Sequence, residues 1–246
     1  MLFYPAEMAA VRLIVNADDF GFTRGVNEGI VRGHREGIIT ATTLMAHGPA
    51  FDHAAELARA NPSLDVGVHL VLWPGGGSLP RRLPAFVARG LLSSPAAVEA
   101  EFSRQVEKVM GAGLRPSHLD THKHVHVFPR VMRAVARVAA RFRIRWVRRP
   151  LFRRQISAYG LLTPDHFLGY RLTGRMTRDS LLAALQRLKP GLTELMCHPG
   201  LYDDELERAP TRLKRQRQIE LEALTSPEAR QLLHRNGVEL VSFRGP

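Results

Sequence analysis

Two carboxylates stand side by side in NADDFGF, Asp18 and Asp19, with two residues between them and the apolar run Leu13–Val15. Further along, His69 lies in GVHL, and SHLDTHKHVHVF places Asp120 among His118, His122, His124 and His126. A later histidine, His198, follows in CHPG. Imidazoles and carboxylates are ligand types for zinc and similar divalent ions, and a catalytic site keeps one position open. Two histidines with one aspartate equally suit iron or manganese. Adjacent carboxylates then allow a division of labour: one binds metal, and the other accepts a proton from the attacking water. Neighbours on a regular strand face opposite ways, so both serve one site only where the strand ends in a turn. Each piece has a plainer reading. These are a solvated turn for Asp18–Asp19, a hydrogen-bonded core histidine for His69, and a satisfied polar network for the alternating histidines on one strand face. The set together favours a metal site. His122, His124 and His126 compete for one ligand position, and periodicity leaves that choice open. Asp120 is the best acceptor for the second nitrogen of a ligating imidazole. Cys197 and His198 point apart on a strand, so Cys197 reads as a small buried residue and His198 as a general acid beside the metal.

The elements that must position these residues alternate between strand and helix. Val11–Asn16 reads as a buried strand followed by an acidic turn, and Asn27–Glu36 as a helix stopped by Gly37. Ile38–Met45 and Asp65–Leu72 read as strands around a helix at Phe51–Asn61. Trp73–Pro84, with three successive glycines and three prolines, is a loop near the site mouth. A helix over Ser94–Met110 has Ser94 to cap it and Pro95 in its first turn. Ser117–Phe128 holds the next strand and its histidine-rich end. Helices follow at Pro129–Arg141, Asp179–Leu188, Leu213–Leu224 and Pro227–His234, with strands at Ile144–Val147, Thr193–Cys197 and Val238–Phe243. This pattern predicts βαβ units, a parallel sheet and a single barrel-like or open α/β domain over residues 1–246. Residues 148–178, irregular and basic, are expected to form a lid or a dimer contact. In such folds the site gathers at the C-terminal ends of the strands, where the residues above fall.

Composition narrows the class. The chain has 246 residues, 45% of them hydrophobic, which suffices for a sizeable core. One cysteine excludes an intrachain disulfide framework and a cysteine-based metal cluster. No run reaches the roughly 18 apolar residues of a membrane helix, and the N-terminus does not read as a secretory signal, so a cytoplasmic protein is expected. The formal charge is +12, concentrated in RFRIRWVRRPLFRR (Arg141–Arg154) and RLKRQRQ (Arg212–Gln218). Such segments can attract nucleic acid or an anionic substrate. Few aromatics and no nucleic-acid motif accompany them, so solvated faces are the expectation.

The ordered set NADDFG (16–21), TRGVNEGI (23–30), GIITATTLM (37–45), GVHL (67–70), SHLDTHKHVHVFP (117–129) and CHPG (197–200) resembles the YdjC/ChbG family of carbohydrate deacetylases. It also resembles a related branch, the HpnK-like hopanoid-biosynthesis deacetylases. The resemblance covers most of the chain and weakens over 148–178 and the C-terminal helices. It implies a distorted TIM-like (β/α) barrel, often dimeric, and removal of acetyl groups from N-acetylated sugars such as N-acetylglucosamine oligosaccharides or glycolipids. It further implies a divalent ion, magnesium or zinc, on Asp19, His69 and His122, with Asp18 as base and His198 as acid. Asp120, His124 and His126 would then orient the ligands. Competing classes are a metal-dependent hydrolase of another amide or a phosphoester, and a sugar-binding or regulatory protein without turnover.

Overall fold

The structure, a computed structural model, describes residues 10–72, 94–149, 156 and 159–246. Its central strand is β1 (Val11–Phe20), whose Leu13, Ile14 and Val15 are fully buried because the sheet is covered on both faces. β1 pairs in parallel with β2 (Ala41–Leu44) on one side and β7 (Gly191–Cys197) on the other, while β8 (Glu239–Leu240) pairs with its start. Outward from β2 lie β3 (Asp65–Leu70), β4 (His118–Thr121) and β5 (Trp146–Val147). β6 (His166–Leu168) lies beyond β7, giving the order β5-β4-β3-β2-β1-β7-β6. The sheet curls until its two edges meet one segment: Val147 donates its N–H to Leu162 and Leu162 donates to Arg145, four residues before β6 begins. The result is a distorted, mostly parallel half-barrel.

Helices α1 (Arg24–Glu36), α2 (Phe51–Ala60), α3 (Pro95–Gly111), α4 (Pro129–Arg141), α5 (Arg178–Leu185), α6 (Asp204–Arg208), α7 (Arg215–Leu224) and α8 (Pro227–Arg235) complete the described elements. α1 begins where it does because Thr23 caps it, accepting from the Val26 N–H. Asn27 on its first turns ties the preceding turn down, accepting from Gly21 N–H and donating to the Ala50 carbonyl. A Cβ on Gly29 would stand 2.5 Å from the Gly200 Cα. That glycine therefore allows α1 to lie directly against the HPG segment, and the packing fixes the backbone that carries His198.

Four elements differ from the sequence reading. β6 is a sheet strand within 148–178, where an irregular segment was expected, and α6 stands where no element was expected. β1 does not stop before the acidic doublet but runs through it to Phe20, and its register with β2 shifts between Ala17 and Phe20. This bulge, with Asp19 at φ 68°, is what aims both carboxylates toward one place. β4 ends at Thr121, and His122–Val127 coil into a 3-10 segment with Lys123 and His124 at positive φ. The alternating histidines therefore do not share one strand face. Shorter strands at β2, β5 and β8, and helices beginning at Pro95, Arg178 and Arg215, are shifts at element ends. The Trp73–Pro84 loop lies outside the described residues, as does part of the 148–178 segment.

Candidate active site

At the C-terminal ends of β1, β3 and β4 the structure brings Asp19, His69 and His122 together. Asp19 Oδ1 stands 3.5 Å from His69 Nε2 and 3.4 Å from His122 Nδ1, and the two nitrogens are 3.2 Å apart. Donors held about 2.1 Å from one ion at tetrahedral to octahedral angles stand about 3.0–3.4 Å from each other, so the triangle fits one divalent cation. A second grouping, Asp18, His69 and Asp120, also has its ligand atoms within 4.8 Å of one another. Its carboxylates are already engaged by Arg148, which makes the first set the better cation cradle.

His69 is held from behind. Its Nδ1 donates to Asp120 Oδ1 at 2.7 Å, and Thr43 Oγ1 donates to the other Asp120 oxygen at 3.1 Å. That bond leaves Nε2 facing the triangle. Beneath lies a guanidinium that sequence reasoning did not single out. Arg148, immediately after β5, donates to both oxygens of Asp18 at 2.7 and 2.6 Å, to Glu194 at 2.7 Å, and pairs with Asp120 at 2.8 Å. Asn16 adds a 3.0 Å bond to Asp18. On the far side Arg217, from α7, donates to Asp19 Oδ2 at 2.5 Å.

The cluster's electrostatics follow from burial. Desolvation alone would raise the Asp18 carboxyl, but Arg148 outweighs it and holds Asp18 well below the usual carboxylate range. Asp19 is likewise held low, by Arg217 and His122 against burial. Glu194 is pushed up to about 7 by burial in spite of Arg148. Asp18, Asp19, Asp120 and Glu194 thus face two buried guanidiniums, an excess of one to two negative charges near neutral pH. The same excess drives His69 up to about 9: burial opposes the charged ring, and Asp120, Asp18 and Asp19 overcome it. A site that draws a proton onto an imidazole this strongly also favours a dication.

His198 stands beside the triangle. Its Nε2 is 4.0 Å from Asp18 Oδ2, its Nδ1 has no partner among the described residues, and its backbone N–H is fixed by Glu220 at 2.6 Å. The remaining histidines diverge. His126 turns inward, Nδ1 2.6 Å from Thr121 Oγ1, and burial lowers it to about 4. His118 bonds Asn16, stacks on Phe243 at 3.8 Å, and is also lowered by burial to about 4. His124 lines the cavity with its ring 4.4 Å from Tyr170, away from the triangle. Asp18, Asp19, His69, His122 and His198 share a cavity of about 660 Å³ walled by Tyr170 and residues 207–214. Cys197 is buried, its thiol pushed up by desolvation. Arg148 and Glu194 did carry a sequence signal: a charge inside or directly after an apolar strand needs a buried partner.

The parallel half-barrel is a fold shared with a carbohydrate esterase. The family 4 carbohydrate esterase from Streptomyces lividans, solved in complex with acetate, superposes with a TM-score of 0.54 over 96% of this chain and 95% of its own. At 15% identity that likeness is one of fold alone. A protein of Enterococcus faecalis V583, provisionally named for cellobiose-phosphate cleavage, superposes with a TM-score of 0.86 at 27% identity, covering 96% and 98% of the two chains. The carbohydrate deacetylase of Geobacillus stearothermophilus is 36% identical over 244 residues, 94% of this chain and 96% of its own. Residues 12–235 match the family described as YdjC-like protein, and the chain belongs to that family.

Proposed function

We propose that the protein is a metal-dependent carbohydrate N-deacetylase. Its substrate on this reading is an N-acetylated sugar, an N-acetylglucosamine-containing oligosaccharide or glycolipid, and its products are acetate and a free amino sugar. The observation that carries the proposal is the Asp19–His69–His122 triangle with edges of 3.2–3.5 Å, flanked by Asp18 and His198. Relatives named carbohydrate deacetylase over nearly the full chain support the reaction class. The two imidazoles make zinc or a similar transition ion a better match than magnesium, which prefers oxygen donors.

In this reading Asp19, His69 and His122 hold the ion. A bound divalent ion would supply Lewis-acid polarisation of the acyl carbonyl and acidify water. Asp18 is ionised throughout the working pH range and accepts the proton of the attacking water. Held at both oxygens by Arg148, Asp18 keeps this proton only weakly and returns it to His198, 4.0 Å away, after His198 has protonated the amine. His198, on the open side of Asp18, donates a proton to the departing amine. Asp120 and Thr43 keep the His69 ring in register. The cavity is of the size that accepts a small oligosaccharide headgroup. The proposal extends to a homodimer working in the cytoplasm, which light scattering and fractionation would check. Among the described residues no helix is long and apolar enough to cross a membrane.

The test is acetate release from N-acetylglucosamine oligomers and glycolipids, set against phosphate release from generic esters, on metal-analysed protein. Acetate release that stops in chelator and returns with zinc is expected. Full activity in chelator, or phosphate release alone, would defeat the proposal.

A further inference from the structure

Arg217 is a buried cation with unusual bonding. Its guanidinium is almost inaccessible and gives one N–H to Asp19 Oδ2, while its Nε and Nη1 have no partner among the described residues. The face of Phe22 lies 5.6 Å from its Cζ. Leaving two buried donors unmade costs stability, so packing alone is a poor account of an arginine here. Its backbone carbonyl also accepts from Gly200 N–H at 3.2 Å, linking α7 to the segment that carries His198.

The geometry at Asp19 gives Arg217 a purpose. Arg217 takes Oδ2, and only Oδ1 faces His69 and His122. A carboxylate free at both oxygens can chelate a cation through both, filling a coordination position that a hydrolytic site must leave open. A cation on the far oxygen also draws charge from the ligand and repels the dication. Carboxylate partners of ligating histidines act the other way, raising ligand basicity. We infer that Arg217 is a positioning residue which restricts Asp19 to one-oxygen ligation, exchanging tight metal binding for an open coordination position. This rests on the deacetylase reading only in assuming that Asp19, His69 and His122 hold a divalent ion.

The test uses Arg217→Gln and Arg217→Lys, with cobalt(II) and zinc as probes. In Arg217→Gln the metal should bind about tenfold more tightly, and turnover should fall about 10–100-fold with little change in KM, the scale on which outer partners of metal ligands act. The visible absorption of the cobalt protein should weaken as the coordination number rises. Arg217→Lys keeps the charge but loses the planar fork, and should shift in the same directions by less. If Arg217→Gln does not fold, the lysine variant decides. Weaker metal binding with an unchanged cobalt spectrum, or wild-type affinity and turnover in both variants, overturns the inference. A wild-type protein that binds neither metal defeats the deacetylase reading instead.

Discussion

The two arginine-rich segments look alike in sequence and behave differently in the fold. Among the described residues, each buries one arginine against the site and leaves its other basic residues partly or fully exposed. From the first, Arg148 is fully buried among three carboxylates, whereas the Arg141 side chain is 59% exposed and pairs with Glu107. From the second, Arg217 is buried against Asp19 alone, whereas Arg215 covers the ring of Tyr202 and Lys214 donates to the carbonyls that end α6. Each buried arginine takes one member of the acidic doublet. Arg148 grips both oxygens of Asp18, and Arg217 holds one oxygen of Asp19. The difference separates two jobs. Arg148 is the counter-ion of a buried acidic floor, while Arg217, on the proposed reading, adjusts a single ligand.

The largest effect should come from Arg148→Met, which removes the guanidinium shared by Asp18, Asp120 and Glu194 and leaves Glu194 without its ion pair. A loss of about 3–5 kcal/mol in urea unfolding is expected. If Arg217→Gln destabilises the fold more than this variant does, the assignment of jobs is reversed. Next in size is a dependence on pH. Burial keeps His118 neutral, lowering it from 6.5 to about 4. Between those values the unfolded chain binds a proton that the folded chain refuses, so stability falls as pH drops from about 6.5 toward 4. The full span is worth about 3 kcal/mol. His118→Gln should flatten that slope; an unchanged slope would show that His118 is not a source of it. The smallest effect belongs to the surface. Arg141→Ala should change stability by less than about 0.5 kcal/mol, and a larger loss would undo the contrast with Arg148.

Much of the scaffold could be read from the chain because periodicity reports burial. The apolar runs at β1, β3 and β7 and the capped helix after Ser94 lie where their patterns place them. Element ends were less legible, since a bulge is set by pairing with a neighbour that a single strand's pattern does not reveal. The run 13–20 is one strand, and it is the shift between Ala17 and Phe20 that resolves how adjacent carboxylates converge. SHLDTHKHVHVF gave too many histidines for one position, because the left-handed residues Lys123 and His124 break its alternation. Charge composition did not separate Arg148 and Arg217 from their exposed neighbours; only the place of Arg148 directly after an apolar strand was a signal. Whether an arginine is solvated or buried depends on carboxylates distant in sequence, Asp18 being 130 residues from Arg148 and Asp19 198 residues from Arg217, and one chain does not name those partners.

The proposed division between the two aspartates is tested most directly by measuring bound metal and acetate release together in Asp18→Asn and Asp19→Asn. Asp18→Asn should keep its metal and lose about 10²–10⁴-fold in turnover, whereas Asp19→Asn should lose both. Metal lost from Asp18→Asn and retained by Asp19→Asn would contradict the account.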